Sequence, residues 1–521
     1  MMEALGDEAT GSMQDPFPWG VASGDATASS VMLWTQLDLS GDDGGDASGD
    51  ESSRTVGSAA VDWEVRSIGD TSDADEVPSA VWLTGVTDAD DDGTVRVQLT
   101  ELTPGTRYTY RFGARGRWSD TGSTATLDPD SDMVRLGIAC CARLASGSLD
   151  AYEGLRLAEP DMVVHLGDYI YEDGGGSDDD GPTPEPPWEC RTLADYSARY
   201  AQYRRDESLR RLHLSVPWVV TPDDHEITDD AFPPERQSGD LPTDVDPPSP
   251  ERKQAALAAH ERWMPQAAHG NGPTTFDRHV PLGRVADLIM IDTRLGGRQV
   301  PAGNGPTGVR EPSQGTGPGQ RSLLGEEQWD WLDDKIGAAG RRWVILASQV
   351  QVAPLRLGWV PSRSWPPRLR PVVNPDQWDG YPADRERLVE LLDRHGVDKV
   401  LVLSGDLHSR FVTTIERSSG GRIVEVTTPS VTAPTFASLI QRRLPLPSPW
   451  KAWRLVARWI RRINPRIIDM DLDEHGTTSL EVEAESILIS GLTPTGRVRR
   501  RWKLTVDGVE SIDLGDPPQE S

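Results

Sequence analysis

Cysteine is scarce in this chain, lysine scarcer than its neighbours require, and long apolar runs are missing altogether. Three cysteines among 521 residues, two of them adjacent (Cys140 and Cys141) and the third at Cys190, cannot build a disulfide framework. The fold must therefore rest on its buried core, and a thiol is left available as a ligand. No stretch approaches the roughly 20 apolar residues needed to cross a bilayer. Of the 53 basic residues only five are lysine, and 83 acids leave a formal charge of −30. That excess excludes nucleic acid as the main partner, because phosphate backbones would be repelled. Dense carboxylates with few lysines read as a surface adapted to high salt, where screening relieves their repulsion. The start, MMEALGDEAT, has neither a basic region nor an apolar segment, so no export signal is expected in the chain as written. A cytoplasmic protein is the default; an upstream twin-arginine signal would make it extracytoplasmic.

What is present divides in two. Residues 15–128 carry short apolar-alternating segments, among them VMLWTQL (31–37), VDWEVR (61–66), VWLTGV (81–86) and VRVQLTEL (95–102), separated by turn signals. This predicts an all-β domain of the immunoglobulin or fibronectin kind. Tyr108, after a Pro-Gly turn, is a candidate tyrosine corner. The acidic stretches 42–53 and 69–75 read as solvated loops. Asp88, Asp90, Asp92 and Gly93 imitate the opening of a calcium loop, but Leu99 stands where its closing Glu belongs, so a hairpin turn is predicted. Residues 133–510 instead alternate apolar strands with helical stretches (150–158, 193–212, 249–264, 325–337 and 382–394), which predicts an α/β domain. Long Pro/Gly-rich connections (174–187, 233–250 and 302–320) are candidate walls or lids.

The strands of this second region end alike. RLGIA runs into Cys140-Cys141, MVVHL into Gly167-Asp168-Tyr169-Ile170-Tyr171-Glu172, VPWVV into Asp223-Asp224-His225-Glu226, VADLIMI into Asp292-Thr293-Arg294, and KVLVL into Gly405-Asp406-Leu407-His408. Ligands of open α/β sheets sit beyond the carboxyl ends of the strands, so these groups are expected to converge. So many acids in one crevice would repel and take up protons unless cations neutralised them, which points to bound metal. His165, inside its apolar strand, reads as a core histidine.

These runs, with Phe17-Pro-Trp-Gly-Val-Ala-Ser-Gly-Asp25 and Asp376-Gln-Trp-Asp-Gly-Tyr381, resemble the PhoD-like family of alkaline phosphatases and phosphodiesterases within the calcineurin-like metallophosphoesterases. The resemblance covers nearly the whole chain. It implies an αββα metallophosphatase core behind an N-terminal β-sandwich, and hydrolysis of phosphate mono- or diesters by metal-activated water. It places iron ligands on Cys141, Asp168, Tyr171 and His408. Thiolate and phenolate are strong donors that suit Fe3+. Calcium ligands fall on Asp168 and Asp224, on Asp406, and on an acid or amide after Asp-Asp-His-Glu. There this chain has Asp229-Asp230 where the family pattern leads us to expect Asn-Asn. An oxygen ligand is kept and charge is added, which leaves the number of Ca2+ ions open. Cys140 is expected to be a buried small residue and Cys190 an incidental thiol in a polar loop.

By the same resemblance His225 protonates the leaving oxygen or, alternatively, orients Asp224. Arg294 forks onto phosphate or forms a structural ion pair. The segment 376–381 contacts substrate or packs a loop. Residues 450–463 alternate Trp450, Trp453, Val456, Ile460 and Ile463 with five cations, the pattern of an amphipathic helix. Packing over the catalytic domain is preferred to a membrane surface. A monomer is expected. The competing reading is a catalytically weak surface- or membrane-associated binding protein that retains the fold.

Overall fold

The computed structural model describes residues 15–42, 59–68, 82–177, 179–229, 249–266, 276–299, 321–361, 369–372, 374–443 and 449–514. The expected loops 69–75 and 302–320, most of 42–53 and 233–250, and Asp230 lie outside them.

Two large sheets form the centre. One has ten strands in the order 508–512, 498–505, 487–492, 477–483, 133–139, 162–165, 218–220, 21–24, 31–36 and 94–99; the other has seven, in the order 278–282, 286–290, 343–347, 400–404, 422–427, 410–416 and 467–471. The strands that carry the site run parallel, Met133–Ala139 beside Met162–His165 beside Trp218–Val220, and Ala286–Met290 beside Trp343–Ala347 beside Val400–Ser404. Their near-continuous apolar sequences follow from burial on both faces. Leu136, Ile138, Met162, Val164 and Val219 meet Leu288, Ile345, Leu401 and Leu403 between the sheets. The alternate residues face outward. Val163, Trp218 and Val220 pack under the helices Leu193–Tyr203, Glu207–Ser215 and Pro250–Trp263. Val344, Leu346, Val400 and Val402 pack under Glu326–Ala338 and Pro382–Arg394. The layers are thus α, β, β, α, the expected class, and each buried Val, Leu or Ile contributes about 1.5–3 kcal/mol.

The N-terminal region is β-rich, as its alternation predicts, and one of its sheets is continuous with the ten-stranded sheet. Its strands 60–68, 82–88, 107–114 and 122–125 form one sheet, while 21–24, 31–36 and 94–99 extend the ten-stranded sheet, Gly24 standing opposite Trp218. Val31, Leu33, Val61, Val65, Val95, Tyr110 and Phe112 fill the space between them. The turn at Gly93 is therefore no hairpin: Trp82–Asp88 pairs with the strand before it and Thr94–Leu99 with Val31–Gln36, so the turn passes from one sheet to the other. Gly93 there has φ 88°. The Tyr108 hydroxyl accepts from Thr103 N at 3.0 Å, a tyrosine corner.

The single helix expected over 193–212 is two. Asp206 accepts a bond from Leu209 N at 2.9 Å and starts the second, which separates Leu193–Tyr203 from Glu207–Ser215. The basic helix spans Pro449–Ile463. Ile460 is buried against Leu355, Phe411 and Leu472, with Trp453 and Val456 beside it, whereas Leu455 (62% exposed) and Trp459 (48%) face solvent. No helix among the described residues is long and apolar enough to cross a membrane.

Candidate metal centre

The carboxyl ends of both parallel sets meet at one edge, where the backbone is bent sharply. Cys141, Asp168, Asp406 and His408 all have positive φ, at 57°, 54°, 62° and 50°. Non-glycine residues hold such angles only where their surroundings impose them, and such residues cluster at functional sites. Two glycines allow the strand ends to approach. At Gly167 (φ 105°) a Cβ would stand 2.4 Å from Asp223 Cβ, and at Gly405 a Cβ would meet Cys140 Sγ at 2.9 Å. Glu226 then fastens two loops together, accepting from Asp168 N (3.0 Å), Tyr169 N (2.6 Å) and Asp223 N (2.8 Å).

Three sets of donors result, in each of which the ligand atoms lie within 4.8 Å of one another: Cys141, Asp168 and His408; Asp168, Asp224 and His225; Asp223, Asp224 and Asp406. Tyr171 joins the first set, its hydroxyl donating to Asp168 Oδ2 at 2.9 Å and standing 3.0 Å from His408 Nε2. His408 Nδ1 faces Pro434 O at 2.9 Å. A carbonyl can only accept, so the proton is on Nδ1 and the Nε2 lone pair is turned into the site. Cys140 is buried, as expected, outside these sets, its Sγ near Thr428 O and Pro429 O.

The electrostatics fit a centre built for cations. Burial pushes Asp168, Asp223 and Asp406 well above the usual carboxylate range, and neighbouring acids add to it, only partly opposed by His225 and Arg294. Burial and the same acids raise the Cys141 thiol and the Tyr171 phenol. Donors so strained by each other's charge are relieved by a metal ion, which displaces their protons on binding. Burial works against a charged His225, but Glu172, Asp224 and Asp168 outweigh it and hold the imidazole well above its ordinary 6.5. His225 Nδ1 lies 2.7 Å from Glu172 Oε2, and its ring stacks on Tyr171 with centroids 4.1 Å apart.

The chain belongs to the PhoD-like phosphatase family. The pattern of the PhoD-like phosphatase matches residues 136–490, and that of the PhoD-like phosphatase N-terminal domain residues 4–128. Alkaline phosphatase D of Bacillus subtilis (strain 168) is 33% identical over 414 residues, 77% of this chain; the match spans 66% of that protein's length. A solved structure of PhoD is similar at a TM-score of 0.77 and 27% identity, over 97% of this chain and 93% of that one.

Of the residues expected at the site, Cys141, Asp168, Tyr171, Asp224, His225, Asp406 and His408 come together. Asp229 stands at the rim: its carboxylate is 79% exposed, 3.8 Å from His225 Nε2, and belongs to none of the three sets. Arg294 is fully buried and turned onto the chain's own acids. Its Nε donates to Asp223, Nη1 to Asp376 (2.8 Å) and Nη2 to Asp406 (3.1 Å), with Asp224 at 3.4 Å. Asp292 accepts from Arg294 N (2.9 Å) and Leu295 N (2.8 Å), which shapes the turn carrying that arginine. Cys190 is not on an exposed loop but fully buried, its thiol pushed up to about 12 by burial. His165 is a core histidine, held at 2.9 Å by the Tyr152 hydroxyl and lowered to about 3 by burial. At the start of the connection 174–187, Arg143 pairs with Asp173 and Asp179.

Sequence reading placed Glu172, Asp223 and Glu226 in the converging runs without a role of their own, left Asp376 between substrate contact and loop packing, gave no role to Gln377 and passed over Arg298. The first three are sequence neighbours of expected ligands, and that adjacency was the available signal. Arg298, which pairs with Asp376, and Gln377, which donates to Asp406, reach the site only through the fold.

Proposed function

We propose that this protein is a metal-dependent phosphoric ester hydrolase acting on phosphate mono- or diesters, with Fe3+ on Cys141, Asp168, Tyr171 and His408 and Ca2+ on Asp168, Asp224 and Asp406. The observation that carries the reading is that the donor sets overlap: Asp168 belongs to two and Asp224 to two, so neighbouring cations would share ligands at one sheet edge. The donor types support the assignment, since thiolate and phenolate suit a ferric ion and all-oxygen sets a hard cation. Cations bound there would polarise phosphoryl oxygens and lower the pKa of a water molecule.

The chain's own groups do the rest. Glu172 holds His225 by Nδ1 and leaves Nε2 on the open side of the site, the atom that would hand a proton to the leaving oxygen. Tyr171 covers one face of that ring. Arg294 serves as an internal cation that partly offsets the burial of Asp223 and Asp406 and holds them and Asp376 in place, rather than as a phosphate clamp, because no part of it reaches solvent.

The test is release of nitrophenol from mono- and bis-nitrophenyl phosphate in high salt, with metal analysis and a visible spectrum of the same preparation. The expected result is chelator-sensitive hydrolysis by a coloured, iron-containing protein. Hydrolysis unchanged in Cys141→Ala and Asp168→Asn, or a colourless preparation holding only zinc, would overturn the assignment.

A further inference from the structure

Beneath the metal centre, where the N-terminal strands join the catalytic core, lies a buried cation with no acid to balance it among the described residues. Arg204 follows the helix Leu193–Tyr203 and is fully buried; the Tyr169 hydroxyl approaches it, but none of its Nε, Nη1 and Nη2 atoms makes a hydrogen bond of good geometry. One face of the guanidinium lies on the Trp34 ring, 4.3 Å from its centroid. The groups around it are the neutral phenols of Tyr169 and Tyr110, and a second guanidinium, Arg210, adds to the positive charge. Arg210 spends Nη2 on Asp120 at 3.1 Å, and its Nε is also unpartnered. Asp206, two residues on, is committed to capping the next helix.

The remaining nearby polar groups carry no negative charge. Ser23 Oγ and the Tyr110 hydroxyl are buried against each other, and neither has a partner of good geometry. His213, which also feels the charge of Arg204, is stacked on Trp218 at 3.8 Å and has Nε2 on the Tyr169 hydroxyl. A buried guanidinium cannot shed its proton, and an unpaired buried ion is among the costliest arrangements in a protein. Burial accordingly works against the charged form of Arg204.

We propose that this joint binds a halide ion, chloride under ordinary conditions, between Arg204, Ser23 and Tyr110. A monatomic anion accepts from several directions at once and brings no oxygens that would themselves need partners among these rings. The site would tie the N-terminal sheets to the loop bearing Asp168, because the neighbouring Tyr169 hydroxyl faces Arg204.

Two measurements on the full chain test this. In crystals grown in bromide, an anomalous peak is expected between Arg204, Ser23 and Tyr110. At constant ionic strength, Tm is expected to rise with chloride and saturate when chloride replaces gluconate. Arg204→Met should abolish that dependence. Tyr110→Phe and Ser23→Ala, which remove one hydroxyl each and leave the charge, should raise the half-saturating chloride concentration roughly ten-fold, the loss of about one charged hydrogen bond. These two variants decide the question if Arg204→Met does not fold. A bromide map without a peak there, a water in its place, or the same chloride dependence in wild type and Tyr110→Phe would overturn the proposal.

Discussion

The two flanks of the metal centre solve the same charge problem differently. On one flank Asp223, Asp224 and Asp406 are met by the chain's own cation, Arg294, reinforced through Asp376 by Arg298. On the other, no arginine among the described residues pairs with Cys141, Asp168, Tyr171 or His408; the Tyr171 hydroxyl bonds to Asp168 and faces His408, and burial raises the Cys141 thiol and the Tyr171 phenol. The first flank is therefore partly preorganised without metal, whereas the second depends on an ion to become an ordered set of anions. On the proposed assignment of metals, affinity for a hard cation on the carboxylate side should accordingly be moderate, and affinity for a ferric ion on the thiolate side strong and steeply pH-dependent.

The comparison breaks most visibly at Asp168, which belongs to two of the donor sets and links the flanks through Asp224. Asp168→Asn should lower kcat/KM for nitrophenyl phosphates on the order of 10³-fold or more, together with loss of bound metal measured by elemental analysis. Next comes the internal cation. Arg294→Met leaves several buried carboxylates uncompensated and should cost about 3–5 kcal/mol in urea unfolding. Millimolar calcium should recover part of that loss, because a bound cation replaces the missing charge; no recovery would show that the arginine and the ion do not share a site. Cys141→Ser should remove the visible band yet leave calcium stoichiometry intact, and Asp406→Asn should do the reverse. His225→Gln should reduce turnover roughly 10²–10⁴-fold with metal content unchanged, most severely for substrates with poor leaving groups.

A smaller effect distinguishes the aromatic layer beneath the centre. His165 and His213 are buried neutral, lowered to about 3 and well below 6.5 respectively. Groups with a depressed folded pKa contribute stability above the unfolded value of about 6.5 and lose it as pH falls toward the folded one. The urea midpoint should therefore drop between pH 7.5 and 5.5, and drop less in His165→Leu. Smallest of all, Trp459→Ser on the exposed side of the basic helix should change stability by no more than about 0.5 kcal/mol.

Much of this was legible beforehand because it depends on periodicity and adjacency. Apolar runs with period-two burial located the parallel strands, and the polar residues that end those runs named most of the donors. Where sequence reading failed, the deciding partner was remote. Asp223 sits beside an expected ligand, yet its role is set by Arg294, 71 positions away. The turn at Gly93 looked like a hairpin because local signals specify a reversal but not which sheet receives the next strand. Cys190 sat among polar neighbours in sequence and is buried by elements that no local pattern brings to it.

By itself the sequence determined which segments could be strands, that their ends carry the metal-binding chemistry, and that no disulfide holds them. Those are properties of residue type and spacing, expressed over a few angstroms of chain. The tertiary structure alone decided that the N-terminal strands extend the catalytic sheet, that Arg294 turns inward onto four acids, and that Arg204 is enclosed without one. Each of these depends on side chains from distant segments sharing one low-dielectric space, where a charge answers to whatever the fold places beside it.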